Sequence, residues 1–255
     1  MSNKINIVLF VNDSYFSYLL SKKIIELHHK RIKKIIFSRS TKSSAKKIFK
    51  IFNKVPITYF FYRSFIQALT SFFFKRKTVS YLAQKFSINT LEIDKGSDLD
   101  LVELDKFNLG FCFNFDLILH AENIDCISKG IYNIHASKLP LDKGISPVLW
   151  AFSRGDKKIW SSIYKIDEGI DSGALADQFS IDVKDTDSAF SLYKRVCIDS
   201  GARLVELIRK ILSDSQKLTK IDNNKESSYN SWPDNSYKTS MKNNNKKHFK
   251  IINIF

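Results

Sequence analysis

"INIVLFVND", residues 5–13, is an almost unbroken run of apolar and β-branched side chains. A strand buried on both faces of a parallel sheet has this character, because neither face meets water. Outward from it, residues 14–30 place Phe16, Leu19, Leu20, Ile24, Ile25 and Leu27 at helical spacing. "KKIIFSR", residues 33–39, is a second strand candidate, and a helical region with Ala45, Ile48, Phe49 and Phe52 follows. A strand–helix–strand opening predicts an α/β fold: a doubly wound, mostly parallel sheet with right-handed crossovers.

Further along, a short helix is expected from Thr78 to Phe86 and a strand near Ile88–Ile93, with "FNLGFCFNF" (107–115) as another buried strand. "GIYNIHASKLP" (130–140) has strand character up to Ile134 and breaks at Pro140. Ser146 and Pro147 are placed to give an N-cap and a first-turn proline to a helix ending near Arg154. "KIWSSIYKID" (158–167) and "ALADQFSIDV" (174–183) alternate apolar and polar residues, as strands with one exposed face do. The turn-rich "DEGIDSG" (167–173) joins them. From Asp187, a candidate cap, to Leu212 runs a helix whose buried face is marked by Phe190, Val196, Leu204, Leu207, Ile208 and Ile211. Beyond Ser213 the composition turns to Lys, Asn and Ser. Residues 1–212 are expected to form the core, and 213–255 a basic, partly ordered extension anchored by Tyr229 and Trp232.

The net charge of +15 suits anionic partners such as nucleic acid, acidic membranes, nucleotides or folates. Cys112, Cys126 and Cys197 are odd in number and scattered, which speaks against a disulfide framework or a zinc site. Thr58–Phe74 is Phe-rich, but Arg63 interrupts it and Lys75, Arg76 and Lys77 follow it. It is too short for a membrane span, and a helix packed on the core is expected. No secretory signal pattern opens the chain, so the cytoplasm is the expected compartment. His28, His29, His120 and His248 carry no pattern and are expected at the surface.

Two segments concentrate polar chemistry: "YNIHASKLPLDKGISPVLWAF" (132–152) and "KIDEGIDSGAL" (165–175). Asn133 and His135 lie two apart at a strand end and so share a face. In open α/β sheets the ligand crevice lies at the carboxyl ends of the strands. Gly169 and Gly173 allow a tight loop that can bring Asp171 to a histidine. The ordered pattern of Asn133-x-His135, Ser137, Leu139, Pro140, Gly144, Pro147 and Trp150, then "DEGIDSG", resembles the folate-dependent formyltransferase family.

That resemblance implies a Rossmann-like core and a catalytic triplet of Asn133, His135 and Asp171, with 10-formyltetrahydrofolate as formyl donor and no metal. It implies a folate site around Phe113, Phe115 and Leu119, which are equally readable as core, and around Ile166, Asp167, Gly169 and Ile170. Ser137, Lys143, Gly144 and Trp150 fall on the acceptor side. Where the family commonly has an aromatic-Arg-Gly triplet, this chain has Asp142, Lys143 and Gly144, and Lys138 replaces a usual Leu. Within the family, the stretch after Leu212 lacks the pattern of a tRNA-holding domain, and the loop "VNDSYFSYLL" (11–20) lacks the glycines of a phosphate cradle for glycinamide ribonucleotide. The best match is to the nucleotide-sugar N-formyltransferases. That implies a nucleotide-linked amino sugar, such as a dTDP-4-amino-dideoxy sugar for surface polysaccharide, as partner, with no nucleic acid and with a homodimer as a plausible state. The readings that stay open are a methionyl-tRNA or glycinamide ribonucleotide formyltransferase, a hydrolase, and a catalytically silent basic binding protein.

Overall fold

The computed structural model describes residues 5–38, 55–222 and 226–250. The helix expected around Ala45–Phe52 lies outside the described residues. A seven-stranded sheet runs in the order β3 (Asn89–Ile93), β2 (Ile32–Ser38), β1 (Ile7–Val11), β4 (Leu109–Phe113), β5 (Ile131–His135), β7 (Lys158–Lys165), β8 (Leu175–Asp182). Pairing is parallel from β3 through β5 and antiparallel for β5–β7 and β7–β8. A separate parallel pair joins β6 (Lys143–Gly144) to β9 (Tyr229–Asn230). The α/β, mostly parallel architecture is the one the sequence predicts.

Every residue of β1 and β4 is buried, and the alternation of side chains along them divides the core. Ile7, Leu9, Val11, Phe111 and Phe113 pack on one face with α1 (Tyr15–His28) and the long α6 (Ala189–Leu212). Val8, Phe10 and Cys112 pack on the other with Ile124 of the short α4 (Ala121–Asp125). A Cβ at Gly201 of α6 would lie 2.5 Å from the Leu20 carbonyl of α1, so glycine is what lets these two helices touch backbone to backbone.

Between β2 and β3 lie α2 (Ile57–Phe72) and α3 (Val79–Lys85). The Phe-rich segment packs less completely than expected. Tyr59, Tyr62 and Leu69 are buried, while Phe61, Phe65, Phe72 and Phe73 stay exposed. No helix among the described residues is long and apolar enough to cross a membrane.

Two expected caps differ. Ser188 caps α6 by accepting from the Ser191 amide, with Asp187 one residue earlier. Asp187 instead accepts from the Lys184 amide and the Ser191 hydroxyl and pairs with Arg195. Ser146 precedes α5 (Pro147–Arg154) in a left-handed conformation and makes no side-chain cap, because its hydroxyl faces the Tyr59 hydroxyl at 3.4 Å.

In the basic tail, Tyr229 pairs with Lys143 in the β6–β9 ladder and Trp232 meets the Tyr59 ring edge-on. Tyr229 and Trp232 remain 61% and 38% exposed, whereas Tyr237 and Met241 of α7 (Asn235–Asn243) are buried. The carbonyls of Lys247 and His248 accept from the amides of Ala189 and Phe190, filling first-turn donors that helix α6 leaves open. His248 is not a surface residue. Its Nε2 lies 2.8 Å from the Tyr237 hydroxyl, and burial lowers its pKa from 6.5 to about 4.

Candidate functional site

Asn133 and His135 project from β5 on the face that also carries Ile131. Asp171 comes from the turn between β7 and β8, with φ +50. At Gly173 a Cβ would lie 1.8 Å from the Lys165 carbonyl oxygen, so only glycine lets the turn fold back on its own strand. Two of the three side chains face each other, and the third joins them through Tyr164. His135 Nδ1 faces Asp171 Oδ1 at 3.6 Å, and both residues are buried.

Further groups complete the site. Asn133 Nδ2 donates to the Tyr164 hydroxyl at 2.8 Å, and that hydroxyl donates to Asp171 Oδ1 at 2.8 Å. The Gly144 amide donates to Asp171 Oδ2 at 2.9 Å. His135 Nε2 lies 2.9 Å from the Asp142 carbonyl, an acceptor, so this nitrogen carries the hydrogen. Asp142 is itself tied down. Arg154 donates to both carboxylate oxygens, at 2.9 and 2.6 Å, and Asn230 donates to Oδ1 at 2.7 Å. The Asp142 amide donates to the Ser228 hydroxyl at 2.8 Å. Burial alone would lower the Arg154 pKa, but the bonds to Asp142 and Asp156 outweigh it and hold the pKa above its ordinary value. The tail strand β9 is thereby linked through Asp142 to the histidine.

Tyr164 stays a phenol, because burial first and the Asp171 charge second push its pKa far up. Cys112 lies beside Asn133 across the β4–β5 pairing, and burial followed by the Asp171 charge push its thiol up to about 12. Among the described residues no cluster of three or more His, Cys, Asp or Glu is arranged to hold a metal ion.

A cleft of about 580 Å³ opens beside this centre, lined by Ala121, Ile124 and Ile127 on one wall and by Ile166, Asp167 and Gly169 on the other. Asp167 shapes its rim, accepting from the Ser172 hydroxyl at 2.6 Å and the Gly169 amide at 3.1 Å. Ile170 is exposed. Phe115 and Leu119 pack half-buried in the same apolar cluster as Ile124 and Ile166. Phe113 is fully buried in the core on the opposite face of the sheet, which is the structural one of its two readings.

On the other side lie the residues read as acceptor-binding. Lys143 and Gly144 form β6. Ser137 is buried, and its hydroxyl donates to the Leu141 carbonyl at 2.8 Å. Trp150 Nε1 donates to the Ser231 carbonyl at 3.1 Å, so its polar atom holds the tail. Sequence reasoning did not find Tyr164, Asp142, Arg154 or Asn230. The parity of Ser162 and Tyr164 along β7 was the one available signal.

Residues 96–208 match the family model described as formyl transferase. A methionyl-tRNA formyltransferase of Kosmotoga olearia is 30% identical over 147 residues, covering 56% of this chain and 47% of that protein. A GDP-perosamine N-formyltransferase of Brucella melitensis is 39% identical over 83 residues, 32% of each chain. The chain thus spans about half or less of these relatives. An N-formyltransferase from Helicobacter canadensis, solved with folinic acid and dTDP-3-aminofucose, superposes with a TM-score of 0.61 at 18% identity, covering 89% of this chain and 70% of that one.

Proposed function

From the match of residues 96–208 to the formyl transferase model, we propose that the protein moves the formyl group of 10-formyltetrahydrofolate onto the amine of a nucleotide-linked amino sugar. A dTDP-4-amino-dideoxy sugar destined for surface polysaccharide is the specific acceptor. The observation that carries the proposal is the approach of Asp171 to His135 at the carboxyl end of β5, with Asn133 joined to Asp171 through the Tyr164 hydroxyl.

The acceptor nitrogen attacks the formyl carbon, and the carbonyl oxygen becomes an oxyanion. Asn133 donates to it. One amide hydrogen is committed to Tyr164 and the other remains for the oxyanion. An aimed donor of this kind lowers the barrier by about 3 kcal/mol. His135 takes the proton that the attacking amine sheds, with Asp171 beside Nδ1 to stabilise the imidazolium. The 3.6 Å separation is longer than a hydrogen bond, and catalytic contacts of this kind tighten around the reacting complex. The bond from carbon to the folate nitrogen then breaks, and a proton returned to that nitrogen releases tetrahydrofolate.

The cleft between α4 and residues 166–169 supports a folate site lined by Ile166, Asp167 and Gly169, with Phe115 and Leu119 in the apolar cluster of Ile124 and Ile166 and Ile170 next along the chain. Backbone of Lys143 and Gly144, beside the docked tail, is proposed for the acceptor side. A ribonucleotide phosphate fits the loop after β1 poorly, because Asp13 and Asp116 place carboxylates there. The methionyl-tRNA relative and the +15 charge favour tRNA as second reading. Mass spectrometry of nucleotide-linked amino sugars, initiator methionyl-tRNA and glycinamide ribonucleotide after incubation with the formyl donor separates these acceptors. A formyl gain on a nucleotide sugar is expected, and a gain on tRNA alone would replace the proposal.

A further inference from the structure

Among the groups that meet at the site, the Tyr164 hydroxyl touches two of the three residues assigned to the chemistry. The antiparallel register sets Asn133 directly opposite Tyr164, and His135 opposite Ser162. The tyrosine ring is buried against Leu139 and Ile221, so it has little freedom to leave. A phenol has one hydrogen. A carboxylate can only accept, so that hydrogen goes to Asp171 Oδ1, and the neighbouring Asn133 amide must turn its N–H toward the phenol oxygen. The hydroxyl therefore sets which end of the Asn133 amide faces Tyr164. The remaining amide hydrogen has its direction fixed by the same contact.

The effect on Asp171 is orientational. Its Oδ1 receives the Tyr164 hydroxyl and faces His135 Nδ1, while its Oδ2 receives the Gly144 amide. Two aimed donors hold the carboxyl group in one orientation toward the histidine. The titratable groups facing Asp171 are His135 from β5, Tyr164 from β7 and Cys112 from β4, the last held as a thiol. Because Tyr164 stays protonated it is a fixed donor and not a proton carrier.

We propose that Tyr164 is a positioning residue for formyl transfer, aiming the Asn133 amide at the oxyanion and holding the Asp171 carboxyl group in place beside His135. This rests on the function proposed above. Tyr164→Phe removes one oxygen and keeps the ring. It is expected to lower kcat on the order of 10- to 100-fold, while each KM changes less than about threefold. Fluorotyrosine at position 164 keeps the shape and the hydroxyl, so kcat stays within about threefold of the native value. This second variant covers the case in which the Phe variant folds poorly.

NMR of asparagine-labelled protein follows the Asn133 side-chain amide independently of turnover. An Asn133 amide signal unchanged in the Phe variant, or a kcat as low with fluorotyrosine as with Phe, overturns the proposal. If the native protein transfers no formyl group to any acceptor yet the Asn133 amide signal moves, the function fails and the positioning contact stands.

Discussion

Gly144→Ala probes how the tail and the site are joined. Gly144 has φ +91, its amide donates to Asp171 Oδ2, and it pairs with Asn230 of β9. A Cβ there would lie 2.4 Å from the Asn230 carbonyl oxygen and 2.8 Å from the Tyr229 ring, against the 3.4 Å where ordinary contact begins. The carbonyl belongs to backbone, so β9 has to retreat by about 1 Å. The left-handed conformation costs a residue with a Cβ about 1–2 kcal/mol, and the crowding adds about 1–3 kcal/mol. A total of roughly 2–5 kcal/mol corresponds to a fall in Tm on the order of 5–15 °C for a chain of this size. If the tail instead lifts off locally, trypsin cleaves between Ser213 and Ser228 while the core still melts near its original temperature. On either route Asp171 loses its aimed amide, and kcat/KM falls at least about 10-fold. Differential scanning calorimetry, limited proteolysis and kinetics on one preparation decide it. A Tm within about 1 °C, an uncleaved tail and kcat/KM within about twofold would together refute the reasoning.

Arg154→Ala releases the Asp142 carboxylate and loosens the carbonyl that holds His135 Nε2; steady-state kinetics should show kcat down by ~10-fold with little change in Tm. His248 has a folded pKa of about 4, below its ordinary 6.5, so the unfolded chain binds more protons between those values. Stability from this group is therefore complete above pH 6.5 and is lost toward pH 4, by roughly 3 kcal/mol. Urea titrations across that window should show a slope that His248→Gln flattens. Native thiol titration should modify the exposed Cys126 alone, because Cys112 and Cys197 are buried and burial pushes both thiols up; all three react after denaturation.

The sheet was legible because its central strands β1 and β4 are buried on both faces and so appear as apolar runs, as "INIVLFVND" does. Asn133 and His135 were legible because two positions along a strand share a face. What stayed hidden depends on register and distance. Nothing local in "KIWSSIYKID" says that Tyr164 lands opposite Asn133, since that follows from antiparallel pairing with a strand 31 residues earlier. Asp142 reads as a departure from a family pattern, yet its partners Arg154 and Asn230 lie 12 and 88 residues away. Phe113 and Phe115 look alike in sequence and parity alone would put them on one face, but β4 ends at Phe113 and Asn114 turns with φ +50, so Phe113 enters the helix-packed core and Phe115 joins the cluster on the other face. Asp187 and Ser188 are both good caps, and the pull of Arg195 on Asp187 leaves the role to Ser188.

The central claim is that Asn133, His135 and Asp171 form a formyl-transfer centre. NMR with an isotope-labelled formyl group on the folate donor tests it most directly, with native protein and His135→Ala run side by side on a nucleotide-linked amino sugar. The account predicts that the label appears as a sugar formamide with the native protein and that its rate falls at least about 100-fold in the variant. Formamide produced by His135→Ala at the native rate would contradict it.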